Sequence, residues 1–233
     1  MWETNTKKIY LDDSYIKEFD ANVTEYNKNE IVLDKTAFYH EGGGQPSDQG
    51  EIISDEKFNV LKVYKDGNAV VHVLDRDYTG GKEIKGIVDW NIRYAHMKHH
   101  TAVHILSGIL FKDYGARITG SQIYADKARM DVNYDLKKED ISIIEEKANK
   151  IVNADLEIKI IYIKKDDLKS NQVRVREDLL PDVETLRIID ISGFDSQADG
   201  GTHVKRTSEL KGIKIFKYEN KGKMNKRIYL NLL

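Results

Sequence analysis

The chain has 233 residues, 40% of them hydrophobic and 33% charged, with a mean hydropathy of −0.57. At roughly 150 residues per domain this is one to two domains of ordinary soluble composition, each able to bury its own core. The absence of cysteine excludes a disulfide framework, a thiolate zinc finger and a thiol nucleophile, and leaves His, Asp and Glu as the strong metal-binding side chains. No apolar run approaches the roughly 18 residues of a membrane span, and Met1-Trp2-Glu3-Thr4-Asn5 lacks the basic and apolar regions of a signal peptide, so a cytoplasmic location is expected. The net charge of −2 hides an uneven split: residues 1–90 hold 11 Lys/Arg against 18 Asp/Glu, and residues 91–233 hold 26 against 21.

Short strands separated by turn residues fill the first half. Glu30–Leu33 predicts one strand. Phe58–Val63 and Ala69–Leu74 flank Asp66-Gly67, a pair that supplies positive φ in a tight hairpin turn, and Glu83–Val88 predicts another strand. Residues 1–90 are therefore expected to form a small all-β, barrel-like module. The pattern changes at Asp89-Trp90-Asn91. From Ile92 to Tyr114 the apolar residues at 92, 95, 102, 105, 106, 109 and 110 follow helical spacing until Gly115 stops the run. A second helix fits Lys138–Val152, where Ile141, Ile144, Ala148, Ile151 and Val152 form one stripe. Strands follow at Glu157–Ile163 and Leu186–Ile191, with a short helix near Asp167–Arg176 between them and a Gly/Ser/Asp-rich loop at 192–202 after them. Ile213–Tyr218 and Lys226–Leu230 around Asn220-Lys221-Gly222-Lys223 read as a basic terminal hairpin. The fold class is α+β, with residues 91–233 forming an antiparallel sheet with packed helices.

Four of the seven histidines, His96, His99, His100 and His104, fall within nine residues. Residues four apart share a helix face about 6 Å apart, so His100 with His104, or His96 with His100, can point at one ion. No glutamate follows the first histidine as it does in a zinc peptidase. Further on, Ala198-Asp199-Gly200-Gly201-Thr202-His203 places a carboxylate and an imidazole four residues apart, and the glycines let the loop fold tightly enough for both to face one point. A helical His pair and a looped Asp/His pair would make a full tetrahedral set; the alternatives are histidines placed on the surface or in the core, and a plain turn at Asp199-Gly200-Gly201. Residues 203–227 carry nine Lys/Arg and two acids, dense enough to attract a polyanion over a Debye length of roughly 8–10 Å; a solvated face is the alternative.

The segment Arg93-Tyr94-Ala95-His96-Met97-Lys98-His99-His100-Thr101-Ala102-Val103-His104 and the loop Gly200-Gly201-Thr202-His203-Val204 resemble the two zinc motifs of the alanyl-tRNA editing family. That family comprises the editing domain of alanyl-tRNA synthetase and the freestanding AlaX proteins. Phe38-Tyr39-His40-Glu41-Gly42-Gly43-Gly44-Gln45-Pro46-Ser47-Asp48-Gln49-Gly50 is similar to the family's glycine-rich motif, and Gly120–Ile123 with Lys127–Asp131 also resembles it. The matches run in the right order over most of the chain. One position departs: Asp199 stands where the family has cysteine.

The resemblance implies a freestanding, medium-length editing hydrolase that deacylates mischarged tRNA(Ala), chiefly seryl-tRNA(Ala), at the acceptor end. It implies one zinc ion on His100, His104 and His203, with Asp199 or, in its place, a water as the fourth ligand. A carboxylate binds zinc at about 2.0–2.2 Å and a thiolate at about 2.3 Å, so Asp can replace Cys with little rearrangement. Asp199 or Gln197 could instead act on a water as a catalytic group. Gly42, Gly43, Gly44, Gln45, Thr101 and Thr202 are candidates for substrate binding, and the consecutive glycines suggest close approach of backbone to a neighbour. Lys214, Lys217, Lys223 and Arg227 are candidates for tRNA phosphates. No nucleotide cofactor and no membrane partner are expected. The competing readings are a tRNA-binding module without hydrolysis and an unrelated metallohydrolase.

Overall fold

The computed structural model describes residues 2–168, Gln172 and residues 183–233, which fall into two units, Met1–His96 and Met97–Leu233. The first unit contains β1 (Lys7–Lys8), β2 (Glu18–Asn27), β3 (Glu30–Leu33), β4 (Lys35–Thr36), β5 (Gly50–Ile53), β6 (Lys57–Asp66), β7 (Ala69–Leu74) and β8 (Glu83–Val88). Six of these close into a barrel in the order β2-β3-β7-β6-β5-β8, while β1 pairs in parallel with β4. Alternation along the strands puts Phe19, Ile31, Ile52, Phe58, Val70 and Ile84 into one apolar core. The expected hairpin is there: Asp66 pairs with Ala69 and Gly67 turns at φ 59°. β2 and β5 add to the strands expected from sequence.

Helix α1 (Trp90–Tyr114) starts where the pattern changes. The Asp89 carboxylate accepts the N–H groups of Asn91 and Ile92 at 3.0 and 3.2 Å, which makes it the N-cap. Gly115, at φ 64°, ends the helix and donates its N–H to Phe111 O. The division between the two units falls within this helix, after His96. From His99 to Leu110 every residue of α1 is buried, so the helix presents no solvent face there and any polar side chain in that stretch must find partners inside.

The second unit continues with β9 (Ile118–Ile123), β10 (Ala128–Val132), helix α2 (Lys138–Asn153), β11 (Ile158–Lys164), β12 (Thr185–Ile191), β13 (Asp195–Ala198), β14 (Ile213–Asn220) and β15 (Lys226–Leu232). They form two antiparallel sheets, β14-β15-β10-β9 and β11-β12-β13. On α2, Asn149 exchanges two hydrogen bonds of 2.9 Å with the backbone of Ile213, and Glu145 accepts Ile215 N–H at 2.7 Å. The outer edge of β14 is covered in this way rather than left to pair with another chain. The loop expected at 192–202 contains a strand, β13. The short helix expected near Asp167–Arg176 lies outside the described residues apart from its first two residues and Gln172; immediately before it, Lys165–Asp167 forms one 3-10 turn.

Candidate metal centre and its surroundings

β13 sets the geometry of the site. Asp195, Gln197 and, just past the strand, Asp199 alternate onto one side. Asp195 lies against Gly108 of α1, where an added Cβ would stand 3.1 Å from its carboxyl carbon. Gln197 donates its amide N–H to Asp195 at 2.7 Å and accepts the Ser107 hydroxyl at 3.4 Å. Asp199 meets His100 and His104. The backbone of Asp199 is clamped by Arg187 of β12, whose guanidinium donates to Asp199 O at 2.8 Å while Asp199 N–H reaches Arg187 O at 3.2 Å.

Among the described residues, His100, His104, Asp199 and His203 bring one ligand atom each to within 4.8 Å of one another. Asp199 Oδ1 stands 3.6 Å from His100 Nε2 and 3.8 Å from His104 Nε2, and Oδ2 stands 3.1 Å from His203 Nε2. Four ligands held tetrahedrally at about 2.0–2.2 Å around one zinc ion must be roughly 3.3–3.6 Å apart, and the observed separations bracket that spacing. The donor set and its burial therefore fit a divalent cation. His96 belongs to the first unit and stands outside this group, with its Nδ1 buried and without a hydrogen-bond partner among the described residues.

Neighbouring groups hold these four side chains in place. Thr101 Oγ1 lies 3.1 Å from His203 Nδ1 and also accepts Val204 N–H at 3.4 Å. With Nδ1–H donated to Thr101, the lone pair of His203 Nε2 points at the site, as it does where a histidine holds an ion. Gly201 donates its N–H to Asp199 Oδ2 at 2.5 Å, and a Cβ on Gly201 would stand 2.2 Å from His100 Cε1. This glycine is needed because the His100 ring packs on the loop backbone.

Burial alone would raise the Asp199 carboxyl, but the His100 charge and hydrogen bonds with His104 and His203 hold it well below the usual carboxylate range. Burial and the like charges of His100 and His104 push His203 well below the usual imidazole range, against the pull of Asp199. Both directions favour the forms that bind a cation, an ionised carboxylate and a neutral ring.

The remaining candidates fall elsewhere. Gln197 bonds Asp195 and Ser107 rather than the four ligands, Thr101 is engaged with His203, and Thr202 is fully buried. Gly42–Gln45, in the first unit, is a tight turn. Gly42 and Gln45 exchange backbone hydrogen bonds of 3.1 and 2.9 Å around Gly43 and Gly44, both at positive φ (58° and 84°), as in a type I′ turn. An added Cβ on Gly43 would meet nothing within 4 Å, so at that position the glycine serves turn conformation rather than close approach.

Three of the four tRNA candidates are already ion-paired: Lys214 with Glu145 at 2.8 Å, Lys217 with Glu219 at 2.5 Å, and Arg227 with Asp131 at 2.6 Å. Lys223 has no ion pair among the described residues. The charge count of 203–227 therefore overstates the field of this hairpin.

Two buried groups escaped the sequence reading. Arg187 is visible in sequence only as a lone cation in an apolar strand. Arg93 and Asp48, both fully buried, form an ion pair in the first unit. Arg93 Nε lies 3.0 Å from each Asp48 oxygen, its Nη1 donates to Ser14 O at 2.9 Å, and its Nη2 to Ala37 O. Their separation of 45 residues leaves no local signature.

Parts of the chain match two families: residues 3–92 match tRNA synthetases class II (A), and residues 186–229 match the threonyl and alanyl tRNA synthetase second additional domain. These matches place it in the class of proteins that share domains with those synthetases. It is 35% identical to the alanyl-tRNA editing protein AlaX-M of Methanosarcina barkeri, over 98% of this chain and 99% of that one, and 38% identical to its counterpart in Saccharolobus solfataricus, over 96% and 98%. It is also 40% identical to the alanine–tRNA ligase of Ignicoccus hospitalis, over 90% of this chain but 24% of the ligase. The chain belongs to the alanyl-tRNA editing protein family, in its AlaX-M form.

Proposed function

We propose that this protein hydrolyses, in the cytoplasm, the ester that joins a wrongly attached amino acid to tRNA(Ala), chiefly serine, using one zinc ion held by His100, His104, Asp199 and His203. The convergence of four ligand atoms from a buried helix and a glycine loop carries this reading; the alanyl-tRNA editing names of its relatives agree with it. A divalent cation in such a site supplies Lewis-acid polarisation and lowers the pKa of a bound water. The protein's part is to keep His203 neutral and aimed through Thr101, to seat the His100 ring on the Gly201 backbone, and to keep the Asp199 carboxylate ionised.

Rejection of alanyl-tRNA follows from the serine hydroxyl. A site built to hydrogen-bond that group discriminates against the analogue lacking it by up to about 10⁴–10⁵, because its buried polar partners would be left unpaired. The Thr101 hydroxyl is already committed to His203, which argues against it as the reader. On the tRNA side, phosphates must compete with Glu145, Glu219 and Asp131 for Lys214, Lys217 and Arg227, which leaves Lys223 as the readily available cation of the four.

The test is release of serine from seryl-tRNA(Ala), with alanyl-tRNA(Ala) as control, on metal-analysed protein before and after chelation. Serine-selective, chelator-sensitive release is the expected result. No release from protein that carries its ion would overturn the hydrolase reading in favour of a tRNA-binding module.

A further inference from the structure

The centre is closed by three nitrogens and a carboxylate, in a chain that has no thiol to offer. The carboxylate meets the rings side-on. Its Oδ1 is the oxygen nearest to His100 and His104, at 3.6 and 3.8 Å, and its Oδ2 is the oxygen nearest to His203, at 3.1 Å. An imidazole gives a cation one donor atom, whereas a carboxylate presented this way gives one oxygen or two. The same four side chains therefore make either a four-donor or a five-donor site.

The orientation is built in. Gly201 N–H fixes Oδ2, the Arg187 guanidinium fixes the Asp199 carbonyl, and the His100 ring closes over Gly201 where no Cβ stands in its way. Zinc is satisfied by four ligands. Manganese favours oxygen donors in larger coordination shells, and ferrous ion is commonly held by histidines together with a carboxylate.

We propose that Asp199 makes this centre adaptable among divalent cations, so that it takes Mn²⁺, Fe²⁺ and Co²⁺ as well as zinc, by passing from one-oxygen to two-oxygen ligation. This rests on the metal-site part of the proposed function and adds the ion preference of that site. Zinc remains the more tightly bound ion by the general order of affinities, by a margin that the carboxylate of Asp199 reduces relative to a thiolate.

The test uses the full chain, stripped with a chelator. Zn²⁺ and Mn²⁺ affinities are measured by competition with a chromophoric chelator, and bound Mn²⁺ by electron paramagnetic resonance, for the native protein, Asp199→Cys and Asp199→Asn. In the native protein Mn²⁺ is expected to lose its free-ion signal and to recover it when one equivalent of zinc is added. In Asp199→Cys, Mn²⁺ affinity should fall by roughly tenfold or more, because a soft thiolate suits zinc and a carboxylate suits manganese, while zinc binds at least as tightly. With Co²⁺ the cysteine variant should gain a near-ultraviolet thiolate band that the native protein lacks, and Asp199→Asn should lose more Mn²⁺ than Zn²⁺ affinity.

Failure of the native protein to bind Mn²⁺ overturns the inference without recourse to any variant. So does a Zn/Mn preference that Asp199→Cys leaves unchanged, or a Co²⁺ complex of that variant without the thiolate band. Serine release by the zinc-loaded protein is measured in parallel. Manganese binding without hydrolysis overturns only the proposed function, and hydrolysis without manganese binding overturns only the ion preference.

Discussion

The two units bury charge in different ways. In the first, Asp48 lies against Arg93, whose nitrogens also reach Ser14 O and Ala37 O, and His72 sits neutral between the Thr36 hydroxyl at 2.8 Å and Ile31 O at 3.3 Å. These groups answer one another, and their chemistry is spent on holding the barrel and the start of α1. In the second unit the part-buried Asp199 carboxylate faces three imidazoles, and each of the four groups brings one ligand atom to the same place. The same residue types thus mark a structural lock where donors match acceptors, and a candidate cation site where ligand atoms converge.

Breaking the lock should have the largest effect. Arg93→Met strands the Asp48 carboxylate in the interior and is expected to cost about 3–5 kcal/mol, read as a lowered urea midpoint. Replacing both partners, Arg93→Met with Asp48→Leu, should cost less than the single change, and a double variant as unstable as the single one would contradict the account of a stranded charge.

The second effect is one of pH. Burial lowers the His72 pKa from 6.5 to about 4. Below 6.5 the unfolded chain takes up a proton that the native barrel refuses, so stability should fall by about 3 kcal/mol as pH drops from about 6.5 to about 4. His72→Gln should lose this part of the slope in urea titrations at pH 7.5, 5.5 and 4.5, and an unaltered slope would refute the assignment.

On the side of the cation site, Gly201→Ala forces His100 away from the loop. It should weaken ion binding by about 10–100-fold in chelator competition while leaving the urea midpoint of the barrel in place. Unchanged affinity would show that His100 is not held by this contact. The smallest effect concerns tRNA. Lys223→Ala should lower the log–log salt slope of tRNA binding by about one unit, and a similar loss in Lys214→Ala would show that its pairing with Glu145 does not withhold it.

Much of this was legible in the sequence because the signals were local. The hairpin at Asp66-Gly67, the strands at 30–33 and 83–88 and both helices follow from alternation, spacing and caps. The histidine pair on one helix face and the Asp/His pair across two glycines marked out four side chains whose ligand atoms converge in the structure. What stayed hidden depended on partners far away in sequence or on polar surfaces. β13 reads as a loop because Asp195, Ser196 and Gln197 carry no apolar alternation; their packing is polar, against Ser107 and Gly108. β10 is built on Ala128 and Met130, neither a strong strand former. The basic hairpin looked free because Glu145 and Asp131, which neutralise two of its cations, lie 69 and 96 residues away.

One measurement bears most directly on the central claim, that His100, His104, Asp199 and His203 hold one divalent cation: equilibrium dialysis of stripped native protein and of His104→Ala against zinc. One ion per native chain, and its loss in a variant that retains the native circular dichroism spectrum, is the predicted result. Equal zinc binding by the two proteins would contradict it.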